Sequence, residues 1–253
     1  MLHEIDTGYE GKFDFPQRAE GPALAYLLAS VPRAGSTYFS HLLWRTGCLG
    51  APLEYLNFEP AGPYGFAARS PASQQQLWHS LLRRRCSPNG VFGLKAFPQQ
   101  LEQLQRSNPV LIEEVISLLL PRAVERRIVY LRRRDRVAQT VSYARATLSG
   151  IWRKEQEGKS LPSIPYSKDA LESAERGIAF QEEVWERMFS DLGIEPLRLW
   201  HEDVLTNGAS AASAVADYLG IAIDPAAAVV VPEIRKQSEG EARSWAERYS
   251  ASR

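Results

Sequence analysis

Residues 24–46 have the sequence LAYLLASVPRAGSTYFSHLLWRT, and this stretch decides the fold. Its first part, residues 24–30, is a short apolar run between two prolines, which is typical of a buried strand. Its last part, residues 36–46, places apolar side chains at helical spacing and is followed by Gly47, which predicts a helix and its end. A strand, a short loop and a helix are therefore expected to follow one another here.

The remainder of the chain alternates in the same way. Residues 51–76 are rich in Pro, Gly, Ala, Ser and Gln, which predicts a long surface excursion. Alternating strands and helices predict an α/β fold with a mostly parallel central sheet flanked by helices. Further strands are predicted at Val91–Lys95, Arg127–Leu131 and Leu197–Trp200, and further helices at 109–120, 136–148, 168–189, 209–219 and 239–249.

Charge argues against a nucleic-acid binder. The 30 basic residues equal the 30 acidic ones, whereas nucleic-acid binders usually carry a basic excess. The positive charge is clustered, with seven arginines from Arg122 to Arg136, which favours a small polyanionic ligand. The run Arg83–Arg85 is instead predicted to be a solvated helix end.

No metal, disulfide framework or membrane span is predicted. The four histidines are scattered, and Cys48 and Cys86 lack metal-ligand spacing. The N-terminus is acidic rather than basic and apolar, which argues against a signal peptide. The apolar runs are too short for a bilayer, so a cytoplasmic location is expected.

The loop after the first strand has the chemistry of a phosphate cradle. Gly35 lets the backbone approach a ligand, and Arg33 adds a positive charge. Ser36 and Thr37 begin a helix, whose free N–H groups and dipole favour a phosphate. The residue before Ser36 is not a lysine, so the loop is not a Walker A motif, which weakens magnesium-dependent phosphoryl transfer. The alternative is an ordinary strand–turn–helix with a capping serine.

A second anion site is predicted one loop away. Arg133 follows the strand Arg127–Leu131, Asp135 caps the next helix, and Ser142 lies two turns into it. An arginine at a strand end can bind a phosphate through two hydrogen bonds, and a helix serine can donate a third. The alternative is a surface arginine cluster. Two neighbouring anion sites suit a nucleotide that is phosphorylated at both ends.

Together these loops resemble those of the nucleotide sulfotransferases, and most closely the bacterial trehalose 2-sulfotransferase family. The resemblance extends from Ala23 to about Tyr249 and implies a single P-loop-like sulfotransferase domain over 23–253, after an irregular N-terminal arm at 1–22. The matching stretches are AYLLASVPRAGSTYF, Gly50–Leu56, NGVFGLKAF, YLRRRDRVAQTVSYARA, Trp152-Arg153 and SWAERY.

The resemblance implies a donor and a mechanism. The donor is 3′-phosphoadenosine-5′-phosphosulfate (PAPS), no metal is needed, and Glu54 is the general base on a sugar hydroxyl. The alternative for Glu54 is an exposed loop glutamate. The 5′-phosphosulfate is expected to bind Arg33, Ala34, Gly35, Ser36 and Thr37, and the 3′-phosphate to bind Arg133 and Ser142.

Further residues are expected near the reacting groups. Lys95 ends the second strand and is predicted either to neutralise the sulfonate or leaving oxygen or to lie on the surface. Other expected contacts are Arg235 and Lys236 with the 3′-phosphate, Pro52 and Tyr55 with the substrate, and Trp152 with a sugar or the adenine.

The acceptor and the function class leave alternatives open. A member of that family has a glutamine where this chain has Pro32, and residues 58–76 match poorly. A trehalose-like sugar, a glycolipid and a lipopolysaccharide glycan are therefore all candidate acceptors. An ATP-dependent phosphotransferase and a non-catalytic nucleotide- or polyanion-binding module are the competing functions. The sequence does not fix the oligomeric state, for which a homodimer is one candidate.

Overall fold

The computed structural model describes residues 6–60, 62–121, 127–152, 164–234 and 240–252. Within these residues, one sheet of four parallel strands runs in the order β2–β1–β3–β4. The predicted α/β fold with a parallel central sheet is confirmed. The strands are β1 (Leu24–Ala29), β2 (Val91–Ala96), β3 (Ile128–Arg132) and β4 (Leu197–Trp200).

Helices connect the strands and flank the sheet. Most of them lie within a few residues of their predicted positions. The sequence prediction missed α3, α7 and the first turns of α2. The described α-helices are α1 (Ser36–Arg45), α2 (Pro71–Arg84), α3 (Pro98–Ser107), α4 (Pro109–Leu119), α5 (Arg136–Ser149), α6 (Lys168–Asp191), α7 (His201–Thr206), α8 (Gly208–Leu219) and α9 (Gly240–Ser250).

Both faces of the sheet are covered. Leu27 and Tyr130 are buried on one face, in the layer that includes side chains of α2, α4 and α6. Leu28 and Leu131 are buried on the other face, against α1 and α8. Neighbouring strand residues point to opposite faces. Continuous apolar strand sequences are therefore needed, and this explains why the strands could be predicted from short apolar runs.

The strand order places the loops after β1 and β3 next to each other at the carboxyl edge of the sheet. The chain passes from β1 to β2 on one side, and β3 then pairs with β1 on the other side. In parallel sheets, a ligand crevice forms at the carboxyl ends of the strands where the order reverses. The loops after β1 and β3 flank this point.

The segment after α1 differs from its prediction. Residues 51–56 are mostly buried rather than part of a surface excursion. Leu53 forms a bridge with Leu94 of β2, and its carbonyl accepts a hydrogen bond from Lys95 N at 3.1 Å. The excursion ends earlier than predicted because Ser70 caps α2 by accepting from Ser73 N. A single bridge leaves no strand-length sequence pattern, which explains the error.

The prediction of a solvated helix end at Arg83–Arg85 is wrong for Arg85. This side chain is fully buried, and its Nε lies 2.8 Å from Asp14 Oδ1. Its NH1 and NH2 groups donate to the carbonyls of Gly8 and Glu10 at 2.8 and 3.1 Å. A buried guanidinium requires such partners, and here the N-terminal arm supplies them.

None of the helices in the described ranges has the length and apolar character that crossing a bilayer requires. The same residues contain no group of three or more His, Cys, Asp or Glu side chains that suits a metal ion. Cys48 and Cys86 are buried free thiols.

Candidate active site

The loop after β1 has an unusual backbone. Arg33 has a φ of +63°, and Gly35, the N-cap of α1, has a φ of +79°. Non-glycine residues rarely adopt this left-handed region, and such strain concentrates at binding sites. A methyl group on Gly35 would overlap the ring of His201, which follows β4. The loop is therefore closely packed and requires glycine at position 35.

Hydrogen bonds from three sides fix the start of this loop. Trp185 Nε1 donates to Ser30 O at 2.7 Å, and Gln139 Nε2 donates to Pro32 O at 2.9 Å. Ser30 Oγ donates to Leu131 O in β3 at 3.0 Å. The loop is thus held in place before any ligand binds, so that its N–H groups at the start of α1 point in a fixed direction.

The structure brings the two predicted anion sites together. Arg33 Nε donates to Ser142 Oγ of α5 at 2.8 Å, and its NH1 donates to Trp152 O at 2.7 Å. Arg133 NH1 donates to Arg33 O at 3.3 Å. The residues predicted for opposite ends of one nucleotide are therefore directly connected.

Arg133 has a mostly buried guanidinium. Burial lowers the pKa of its guanidinium, although Asp135 and Glu202 oppose this change. Its Nε is buried and has no hydrogen-bond partner within the described ranges. A partly desolvated cation with an unused donor gains more from a phosphate than a fully hydrated one.

Lys95 connects the predicted base to the loop after β1. Its Nζ lies 2.9 Å from Glu54 Oε1 and 3.0 Å from Thr37 Oγ1. Lys95 is fully buried, so the prediction of a strand-end lysine on the surface is wrong. The Glu54 side chain retains 16% exposure. A carboxylate that reaches solvent beside a buried ammonium can accept a proton from a substrate hydroxyl.

Gln100 is a site residue that sequence reasoning missed. Its Oε1 accepts from Phe97 N at 3.0 Å, and its Nε2 donates to Glu54 Oε2 at 2.9 Å. Because the backbone N–H needs an acceptor, the amide group is oriented with its NH₂ toward the carboxylate. A glutamine at the third position of a helix that follows a strand is the signal that could have identified it.

His201 was also missed. It follows β4 directly and lies against Gly35, so the rule that ligands bind beyond strand ends could have identified it.

The remaining predicted site residues differ in how far they are exposed. Ala34, Pro52 and Tyr55 are buried, and the Tyr55 hydroxyl donates to Ala51 O, so a substrate contact by Pro52 or Tyr55 stays a prediction. Trp152 is 44% exposed, and Arg235 and Lys236 lie outside the described residues.

A model of the Stf0 sulphotransferase family matches residues 25–252. The chain belongs to the Stf0 sulphotransferase family. The sulfotransferase resemblance predicted from the two loops is confirmed, and sulfuryl transfer is the activity class of this chain. The family match includes the loops after β1 and β3, Glu54 and Lys95, and it begins after the N-terminal arm.

Two proteins that are similar to this chain carry the same name. The chain is 27% identical to the trehalose 2-sulfotransferase of Mycobacterium tuberculosis and 25% identical to that of Mycolicibacterium smegmatis. Each alignment covers 89% of this chain and 94% of the relative. The chain therefore spans nearly the full length of both relatives.

Two solved structures are similar to this Stf0 family member. The sulfotransferase domain from the Synechococcus PCC 7002 olefin synthase has a TM-score of 0.44 and 13% identity, and the match covers 93% of this chain and 98% of that domain. A retinol dehydratase in complex with retinol and PAP has a TM-score of 0.41 and 17% identity, with coverage of 90% and 80%.

Proposed function

We propose that this Stf0 family member transfers the sulfuryl group of PAPS to a sugar hydroxyl, with Glu54 as general base. The names of the two trehalose 2-sulfotransferases support a sugar acceptor. A trehalose-like sugar, a glycolipid and a lipopolysaccharide glycan are the acceptors to test. The single observation that carries the proposal is the position of Lys95 between Glu54 and the loop that begins α1.

The donor would bind along the loops after β1 and β3. The 5′-phosphosulfate would lie on the N–H groups that begin α1, where the helix dipole favours an anion. Arg33 would add a charge-assisted hydrogen bond. The 3′-phosphate would bind Arg133 and Ser142, and it would supply a partner for the buried Arg133 Nε.

The reaction would be an in-line displacement at sulfur. The acceptor oxygen forms a bond to sulfur as its proton passes to the Glu54 carboxylate. The bond from sulfur to the 5′-phosphate oxygen breaks, and 3′,5′-bisphosphoadenosine leaves. Negative charge grows on that leaving oxygen, and the N–H groups of the loop would stabilise it together with Lys95, which contacts Thr37.

The nucleotide class is tested by binding. Calorimetric titration without metal should show tighter binding of 3′,5′-bisphosphoadenosine than of ADP. Because Ser142 is assigned to the 3′-phosphate and also accepts from Arg33 Nε, Ser142→Ala should weaken bisphosphate binding more than ADP binding. Thr147→Ala is the matched control, since Thr147 lies on the same helix and bonds to Tyr143 O. Equal affinities for the two nucleotides would overturn the donor assignment.

The base is tested by turnover. With radiolabelled PAPS and a panel of trehalose, glycolipid and lipopolysaccharide, Glu54→Gln should retain bisphosphate binding and lose turnover about 100-fold or more. Glu59→Gln is the control, because Glu59 is an exposed glutamate of the same segment. Full turnover in Glu54→Gln would refute the role of the base, and magnesium-dependent transfer from labelled ATP would favour the phosphotransferase.

A further inference from the structure

Residues 7–15 of the N-terminal arm reach the proposed base. The Glu54 backbone N–H donates to the Tyr9 hydroxyl oxygen, and the N–O distance is 3.2 Å. The Tyr9 ring packs edge-on against Tyr64, with ring centroids 5.4 Å apart. The arm precedes residue 25, where the family match begins. A segment outside the family match therefore contacts the residue to which the chemistry is assigned.

The arm is fastened to the domain rather than lying loosely on it. Glu10 accepts hydrogen bonds from Thr7 N and Gly8 N at 2.9 and 2.8 Å, which closes a turn around Tyr9. At the end of this segment, Phe15 is buried and its N–H donates to Arg84 O at 2.9 Å. The position of Tyr9 is thus fixed on both sides along the chain.

Arg85 fixes the arm and the Glu54 segment together. Its guanidinium binds the carbonyls of Gly8 and Glu10 and the Asp14 carboxylate. Its own carbonyl accepts from Ala51 N at 3.3 Å, at the start of the segment that carries Glu54. One buried residue therefore binds both the arm that carries Tyr9 and the segment that carries Glu54.

We infer that the N-terminal arm is part of the active-site scaffold and that Tyr9 is a positioning residue for Glu54. The inference rests on the proposed function. Lys95 and Gln100 hold the Glu54 carboxylate, and Tyr9 holds its backbone. General-base catalysis needs the carboxylate within hydrogen-bond reach of the hydroxyl, and a displacement of about 1 Å can cost about 100-fold in rate.

The test removes the hydroxyl and keeps the ring. Tyr9→Phe removes the hydroxyl that accepts from the Glu54 N–H, so we expect kcat to fall about tenfold. KM for PAPS and the affinity for 3′,5′-bisphosphoadenosine should not change, because the donor loops are untouched. Hydrogen exchange of the Glu54 backbone amide should become faster, which can be measured on the peptide that covers residues 51–57.

Tyr64→Phe is the matched control. Tyr64 lies in the same aromatic cluster, and its hydroxyl has no hydrogen-bond partner in the part of the chain that the structure describes. This variant should keep the wild-type kcat and the wild-type exchange rate at Glu54. Unchanged kcat and unchanged amide exchange in Tyr9→Phe would overturn the positioning role, and so would a loss of bisphosphate binding in that variant.

The two proposals fail in different ways. If Glu54→Gln keeps full turnover, the role of the base fails whatever Tyr9 does. If Glu54→Gln loses turnover and Tyr9→Phe matches the wild type, only the role of Tyr9 fails. In the double variant, Tyr9→Phe should lower kcat no further than Glu54→Gln does alone, because Tyr9 acts through the Glu54 carboxylate. A further tenfold loss there would contradict the inference.

Discussion

Lys95 Nζ lies 2.9 Å from Glu54 Oε1, and the lysine of this ion pair is fully buried while the carboxylate reaches the surface. A buried ammonium is stable only when it is paired. The same group contacts Thr37 Oγ1 in the first turn of α1. The pair thus links the proposed base, Glu54, to the first turn of α1, where the phosphosulfate is proposed to bind.

The first prediction concerns this lysine. Lys95→Met should lower kcat about 100-fold, because the transition state loses a positive charge beside the leaving oxygen. Single-turnover assays with radiolabelled PAPS measure this effect. Lys168→Met is the control, since Lys168 is half-exposed at the start of α6 and pairs with Glu172. Undiminished turnover in Lys95→Met would show that the lysine is structural.

The second prediction concerns Gly35. Gly35→Ala combines a strained φ of +79° with a steric overlap at His201. The loop must shift to relieve the overlap, so bisphosphate binding should fall below detection by calorimetry while the protein still folds. The shift moves the N–H groups that begin α1, and these are the groups assigned to the phosphosulfate.

Gly193→Ala separates the two effects. Gly193 has a φ of +60°, and a methyl group there meets no heavy atom within 4 Å in the described structure. It should cost about 1–2 kcal/mol of stability from backbone strain alone. Its bisphosphate affinity should equal that of the wild type. If Gly35→Ala binds as tightly as Gly193→Ala, the loop is not the donor site.

Much of the fold could be predicted because it depends on local pattern. The strands are buried on both faces and therefore appear as short apolar runs. Capping residues such as Asp135, whose Oδ1 accepts from Ala138 N at 2.9 Å, mark helix starts. The loops after β1 and β3 could be identified because parallel strands bring their carboxyl ends to one edge.

The rest depends on contacts between distant parts of the chain. Gln100 and Glu54 are 46 residues apart, and Tyr9 and Glu54 are 45 apart. The position of Gln100 in the first turn of a helix is a local signal, but nothing in the local sequence indicates that its partner is Glu54, or that Tyr9 contacts Glu54. Arg85 was predicted to be solvated because a helix end rich in arginine usually is. Its burial depends on carbonyl groups of the N-terminal arm.

The third prediction concerns Arg85 and stability. Arg85→Met should lower the free energy of unfolding by about 3–5 kcal/mol, because Asp14 and two carbonyl groups lose a buried partner. Urea denaturation followed by tryptophan fluorescence measures it. Arg83→Met, two residues earlier on the exposed side of α2, should cost about 0.5 kcal/mol or less. Equal stability of the two variants would contradict the anchoring role of Arg85.

The fourth prediction concerns Glu202, which supports the loop after β3. Its Oε1 accepts from Arg134 N and Asp135 N, both at 3.1 Å. Desolvation raises the pKa of Glu202, but these hydrogen bonds and the electrostatic interaction with His201 lower it by more, so its pKa lies below the usual 4.5. The folded state therefore favours the ionised carboxylate.

A depressed pKa in the folded state stabilises the protein above the unfolded-state pKa, and this contribution is lost as the pH falls through the folded-state value. Glu202→Gln mimics the protonated side chain, so it should lower the free energy of unfolding by about 1 kcal/mol near neutral pH. The difference from wild type should shrink below the usual carboxyl pKa of 4.5. Urea denaturation at several pH values measures it, with the exposed Glu195→Gln as control. A difference that stays constant with pH would show that the charge of Glu202 does not support the loop.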